Sequence, residues 1–186
     1  IFFSGLEHSL AGSQYNTRVD ELKAGVSALR AFAGMESLPF AETVARDVPR
    51  EVFEACNSRL PERWALRCEH WYGEYARVEA GAEAWRRGDL AEYGRLCFES
   101  GWSSIHNWQS GAPEQITLYE IMHKTPGIYG GRFSGAGFKG CCMALVDPAR
   151  AGDIEEKVTR EYLAAYPRLE GRYGVYRCQS ADGVML

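Results

Sequence analysis

The 186-residue sequence is 46% hydrophobic, 25% charged and 12% aromatic, the make-up of a globular chain long enough for one sizeable core. Its net charge of −4, with both signs interspersed, excludes the basic face of a nucleic-acid binder and a polybasic membrane patch. No apolar run approaches the ~18–20 residues of a membrane-spanning helix, so neither nucleic acid nor membrane is expected as a partner.

In chain order, Ile1–Leu10 reads as a strand running into a polar turn. The chain opens directly on Ile1-Phe2-Phe3, which leads us to expect a piece of a longer polypeptide. Apolar positions at 15, 19, 22, 26 and 29 then have helix spacing, ending before Gly34. Pro39 and Pro49 break residues 35–58 into short turns. A long helix is predicted after Pro61, with the stripe Trp64, Cys68, Trp71, Tyr75, Val78, Ala82 and Trp85 alternating by four and three. Such a stripe is expected in the core. Gly88 ends this helix, and Asp89 with Glu92 forms a capping-box pattern for a short helix that follows. Ser103–Gly111 reads as an irregular polar and aromatic loop. Pro113 opens a helix through Ile116, Tyr119 and Met122, stopped by Pro126-Gly127. Asp153 with Glu156 caps a last helix through Ile154, Val158, Tyr162 and Ala165, and Arg172–Cys178 is a final strand. The order of elements predicts an α+β fold over residues 1–186, a single domain with a small antiparallel sheet covered by helices in two layers.

The densest signal is Arg132–Val146, RFSGAGFKGCCMALV. Three glycines in Gly135-Ala136-Gly137-Phe138-Lys139-Gly140 call for positive φ or a close approach of the backbone. The spacing matches the Gly-x-Gly-x-x-Gly dinucleotide fingerprint, but that motif needs a helix after the glycines. Cys141–Val146 is instead a short apolar run stopped by Asp147-Pro148, so a strand is expected there and the element is strand, loop, strand. Six cysteines without a CxxC pair and four scattered histidines offer no zinc spacing. Free, mostly buried thiols in a reducing cytoplasm are the reading, and a bond between Cys141 and Cys142 is not expected, because strand neighbours face opposite ways. His70 and Glu74, one helical turn apart, suggest a structural pair.

Several segments together resemble the galactokinase branch of the GHMP small-molecule kinases. His8-Ser9-Leu10-Ala11-Gly12-Ser13-Gln14-Tyr15-Asn16-Thr17-Arg18 is similar to that family's His-x-Leu-x-x-Ser-x-Tyr-Asn-x-Arg segment. Arg67, His70, Glu74 and Arg77 match its Arg-x-x-His-x-x-x-Glu-x-x-Arg helix. Gly88-Asp89-Leu90, Tyr93-Gly94 and Ser100–Ser104 follow in the family's order. Gly127-Ile128-Tyr129-Gly130 with Ser134–Gly140 resembles the third GHMP signature, and Ser180-Ala181-Asp182-Gly183 fits its ending. Galactokinases usually carry Met-Thr before the glycines and Phe-Gly-Gly within them. Phe133-Ser134, Phe138-Lys139-Gly140 and Ser103-Ser104-Ile105-His106-Asn107-Trp108 look more like galacturonokinase-type relatives.

The resemblance implies the C-terminal domain of an ATP-dependent sugar-1-kinase. The sugar signature, the Pro-x-Gly-x-Gly-Leu-Ser-Ser phosphate loop and the catalytic Asp would lie in an N-terminal half absent from this sequence. That half would be the chain's partner and would bind most of the ATP and Mg2+, so no catalytic residue and no metal ligand is assigned here. Gly101-Trp102-Ser103-Ser104 imitates part of a phosphate loop but stands at a different family position, and it is read as a decoy. The resemblance implies that Tyr15 faces a small sugar and that Ser134, Gly135, Ala136, Gly137, Phe138, Lys139 and Gly140 lie near the phosphate loop. Lys139 is either a solvated lysine or a point charge near phosphate or a uronate carboxylate. A non-catalytic sugar-sensing or scaffold protein on the same fold is the alternative reading.

Overall fold

The structure, a computed structural model, describes residues 1–7, 15–179 and 181. The strand expected over Ile1–Leu10 is described only in part, and the residues 8–14 of the Tyr15 motif and the terminal Ser180 and Asp182-Gly183 lie outside the described residues. The chain divides into two compact units. One is Ser9–Ser110 and the other joins Ile1–His8 to Gly111–Leu186.

The Ser9–Ser110 unit is helical. It holds α1 (Tyr15–Phe32), α2 (Arg50–Cys56), α3 (Glu62–Arg86) and α4 (Leu90–His106), with short 3-10 turns between α1 and α3. Val26 and Leu29 of α1, Phe53 of α2 and Cys68 and Tyr72 of α3 are buried together with Ala45, Val48 and Leu60. Gly25 lets α1 and α3 approach closely, since a Cβ there would lie 2.8 Å from Cys68 Sγ. Phe53 and Tyr72 stack at 4.5 Å, and the Tyr72 hydroxyl donates to Val48 O at 2.9 Å, so the buried phenol is satisfied.

The α3 stripe is only half core. Cys68 is fully buried, whereas Tyr75, Val78 and Trp85 are 56%, 69% and 54% exposed. Gly88 at φ +70 stops α3, and Asp89 caps α4 by accepting from Glu92 N at 3.0 Å. Helix α4 runs on to His106, so Ser103–His106 is helical rather than loop. The imitation phosphate loop Gly101–Ser104 lies inside this helix, where its amides serve the helical ladder.

The second unit is a four-stranded antiparallel sheet with two helices. Strands β1 (Phe2–Phe3), β2 (Ile128–Phe133), β3 (Cys141–Val146) and β4 (Gly174–Val175) lie in the order β2-β3-β1-β4. Phe133, Cys142, Phe2 and Val175 form one row across all four strands. Helices α5 (Pro113–His123) and α6 (Ala151–Ala165) pack on it: Cys142 Sγ meets Gln115 O at 3.7 Å, and the Tyr162 hydroxyl donates to Ser4 O at 2.8 Å. Pro113 occupies the first turn of α5, where a missing N–H costs nothing. Helix α6 starts two residues before the predicted Asp153, after a 3-10 turn capped by Asp147. The sheet strand at the end is Gly174–Val175, shorter than the predicted Arg172–Cys178. The class is α+β, as the order of elements implied.

Candidate functional site

The glycine loop joins β2 to β3 as predicted. Ser134 N donates to Cys141 O at 2.9 Å and closes the hairpin. Gly135, Gly137 and Gly140 have φ of +74°, +76° and +94°, the left-handed region that favours glycine. At Gly137 a second constraint applies, because a Cβ would fall 2.3 Å from Phe133 Cδ2. The loop is pinned at several points. Ala112 N donates to Gly137 O at 2.9 Å, Ser4 N to Gly140 O at 2.9 Å and Gly140 N to Leu6 O at 3.2 Å. Gln115 Nε2 donates to Lys139 O at 3.0 Å and Cys141 O at 3.3 Å.

Between these pins the loop presents backbone to solvent. Ser134, Gly135, Ala136 and Lys139 are exposed, Phe138 and Gly140 half-buried and Gly137 buried. The amides of Gly135, Ala136 and Lys139 donate to no group among the described residues. A turn with unspent N–H groups can receive an anionic oxygen. The Lys139 ammonium is exposed and meets no partner among the described residues.

Gln115 was not singled out in the sequence. It is fully buried with Leu118 and Met122, on the i, i+3, i+7 face of α5. A polar residue on that apolar face was the available signal. Its Oε1 has no hydrogen-bond partner in the described structure.

In the helical unit, Tyr15 is the first residue of α1 and 44% exposed. Its ring lies 6.3 Å from that of Trp108. One turn on, Arg18 Nε donates to Trp108 O at 2.7 Å, and its guanidinium also reaches Gln109 O. Burial, then repulsion from Arg67, lowers the Arg18 pKa, against a raising pull from Glu21.

The matched α3 motif turns out to be a polar ladder to α4. Arg67 donates to Asn107 O, to Gln109 Oε1 at 2.8 Å and to Glu21 Oε2 at 2.7 Å. His70 Nδ1 lies 2.9 Å from Ser103 Oγ. Glu74 accepts from Ser100 Oγ at 2.7 Å and from Arg77 Nε at 2.7 Å. Positions 67, 70 and 74 thus answer 107, 103 and 100, the spacing of two antiparallel helices. All six cysteines are free, and among the described residues no three His, Cys, Asp or Glu side chains gather as a metal site. No helix among the described residues is long and apolar enough to cross a membrane.

Residues 82–165 match the family described as GHMP kinases C terminal. A galacturonokinase from Arabidopsis thaliana is 41% identical over 98% of this chain and 43% of its own length. A galactokinase from Roseiflexus sp. is 34% identical over 97% of this chain and 44% of its own length, and human galactokinase 33% over 97% and 41%. The crystal structure of Lactococcus lactis galactokinase complexed with galactose shares the fold, with a TM-score of 0.76 at 24% identity over 89% of this chain and 41% of that one. Residues 82–165 thus carry the C-terminal domain of the GHMP kinases, and nearly the whole chain is homologous to galacturonokinases and galactokinases. It spans less than half the length of these relatives.

Proposed function

We propose that residues 1–186 act as one C-terminal domain of an ATP-dependent sugar-1-kinase that works in the cytoplasm. An N-terminal kinase domain of the same protein would carry the phosphate loop and the catalytic Asp. Bound ATP and Mg2+ would supply the γ-phosphoryl group, destined for the anomeric hydroxyl of a small sugar, and would neutralise its charge. In this reading ATP and Mg2+ would be held mainly by the other domain.

This chain's contribution is positioning. The amides of the exposed Gly135, Ala136 and Lys139 fit an anionic phosphate oxygen, Ser134, Gly137 and Gly140 hold the loop around them, and Phe138 lies half-buried between. Tyr15 would hydrogen-bond the sugar. Lys139, exposed and without a partner among the described residues, is available to a phosphate or a uronate carboxylate. Galacturonate is the preferred sugar in this reading, and the 41% identity to a galacturonokinase is the observation that carries it.

The test is sugar-dependent ADP release by the full reading frame, with galactose and galacturonate side by side. Turnover with galacturonate above galactose is expected, and none from residues 1–186 alone. A folded full-length protein that consumes ATP with neither sugar would refute the kinase and favour a sugar sensor.

A further inference from the structure

Tyr15 is the first described residue of α1. The turn it opens is held twice by one short segment outside the helix. The Tyr15 ring leans on the Trp108 ring at 6.3 Å and 60°, and Arg18 Nε donates to Trp108 O at 2.7 Å. Trp108 is fixed in turn. Its N donates to Ser103 O at 2.9 Å, and the His70 ring stands 5.1 Å away, itself held by Ser103 Oγ at 2.9 Å.

The next residue, Gln109, has φ +55, the one non-glycine with positive φ among the described residues. A side chain in that region costs conformational energy and persists only where the surroundings impose it. Here Arg18 takes its carbonyl and Arg67 its side chain, two buried guanidiniums on a single bend. This much scaffolding ends on an exposed tyrosine rather than a buried one.

From this geometry we infer that Trp108 is a positioning residue for Tyr15. It sets the direction of the phenol through ring contact and through the Arg18 tether, without touching the sugar itself. The inference deepens the proposed function and rests on its reading of Tyr15 as a sugar contact.

The experiment uses the full reading frame with Trp108→Leu, Trp108→Phe, Tyr15→Phe and the double variants, read as separate KM values for sugar and ATP and as kcat. Trp108→Leu should raise the sugar KM about threefold to tenfold, the size of an aromatic pair's contribution, and leave the ATP KM within about twofold. Trp108→Phe should restore most of the affinity. In the Tyr15→Phe background the Trp108 changes should add nothing, because the group being positioned is gone. If the leucine variant fails to fold, Trp108→Met, which keeps apolar bulk but removes the ring, carries the same test through its dependence on Tyr15. A sugar KM that responds to Tyr15→Phe but not to Trp108 changes overturns the inference and leaves the proposed function standing. Effects that multiply with Tyr15→Phe, or that raise both KM values together, reduce Trp108 to a structural residue. A sugar KM indifferent to Tyr15→Phe removes the reading of Tyr15 and the inference with it.

Discussion

The glycine loop makes a quantitative contrast between two of its own residues. Gly135 and Gly137 have nearly the same φ, +74° and +76°, so alanine at either pays the left-handed penalty of about 1–2 kcal/mol. They differ in what a Cβ would meet. At Gly135 there is nothing within 4 Å. At Gly137 the Phe133 ring stands 2.3 Å, 2.9 Å and 3.0 Å away through three of its carbons. Phe133 is 2% exposed and packed edge-on against Tyr119, so it has little room to retreat. Forcing a methyl group into such a core costs about 1–3 kcal/mol more. Gly137→Ala should therefore lose about 2–5 kcal/mol in total, and Gly135→Ala about 1–2 kcal/mol. Urea unfolding of the two variants measures the difference. Amide exchange at Ala112, whose N–H donates to Gly137 O, should speed up in Gly137→Ala alone. Equal losses in both variants, with Ala112 unchanged, would refute the steric argument.

Three further outcomes follow from the charges and thiols. Arg67→Met should destabilise the helical unit by about 2–4 kcal/mol in urea unfolding, because it leaves Glu21 facing the exposed Arg63 at 3.9 Å and removes the donor of two acceptors of the 107–109 bend; the exposed Arg50–Glu54 pair is the control and should show no resolvable change. With a thiol reagent at pH 8 the exposed Cys178 should react in the native protein, while Cys68 and Cys142, whose pKa burial pushes up to about 12, should wait for denaturant. The same burial sets a pH dependence: Cys68, Cys142 and Tyr173 rise from 9.0, 9.0 and 10.0 to about 12 in the fold, so the unfolded chain releases these protons first. The stability they contribute is complete below about pH 9 and falls as pH rises towards 12, and a urea midpoint unchanged between pH 8 and 11 would contradict this.

Much of this architecture was legible in the sequence, for physical reasons that also mark where legibility stopped. Pro61, Gly88, Asp89 and Pro113 act on the backbone within a turn of themselves, and each stands at the helix boundary it predicted. The three glycines between two apolar runs likewise gave the hairpin. Periodicity, by contrast, identifies a face but not its cover, which is why Tyr75, Val78 and Trp85 were expected in the core and are exposed. Ser103–His106 misled because serine and histidine favour loops locally. Ser103 is helical and buried, and its hydroxyl answers His70 on α3. That ladder needs residues about 33 apart to meet, and the Tyr15–Trp108 contact needs 93, separations at which no local pattern speaks. The α3 motif was recognisable only by its resemblance, and the structure gives it a physical purpose. The bend at Gln109 is hidden for the same reason, whereas Gln115 has a local signal, a polar residue on the apolar face of α5.

In the proposed function this domain serves a kinase that phosphorylates a sugar at its anomeric carbon. The most direct measurement is phosphorus NMR of the product formed when the full reading frame is incubated with galacturonate, ATP and Mg2+. A phosphate ester coupled to the anomeric proton is expected, appearing together with ADP. A folded, nucleotide-binding protein that gives only inorganic phosphate, or an ester at another carbon, would contradict it.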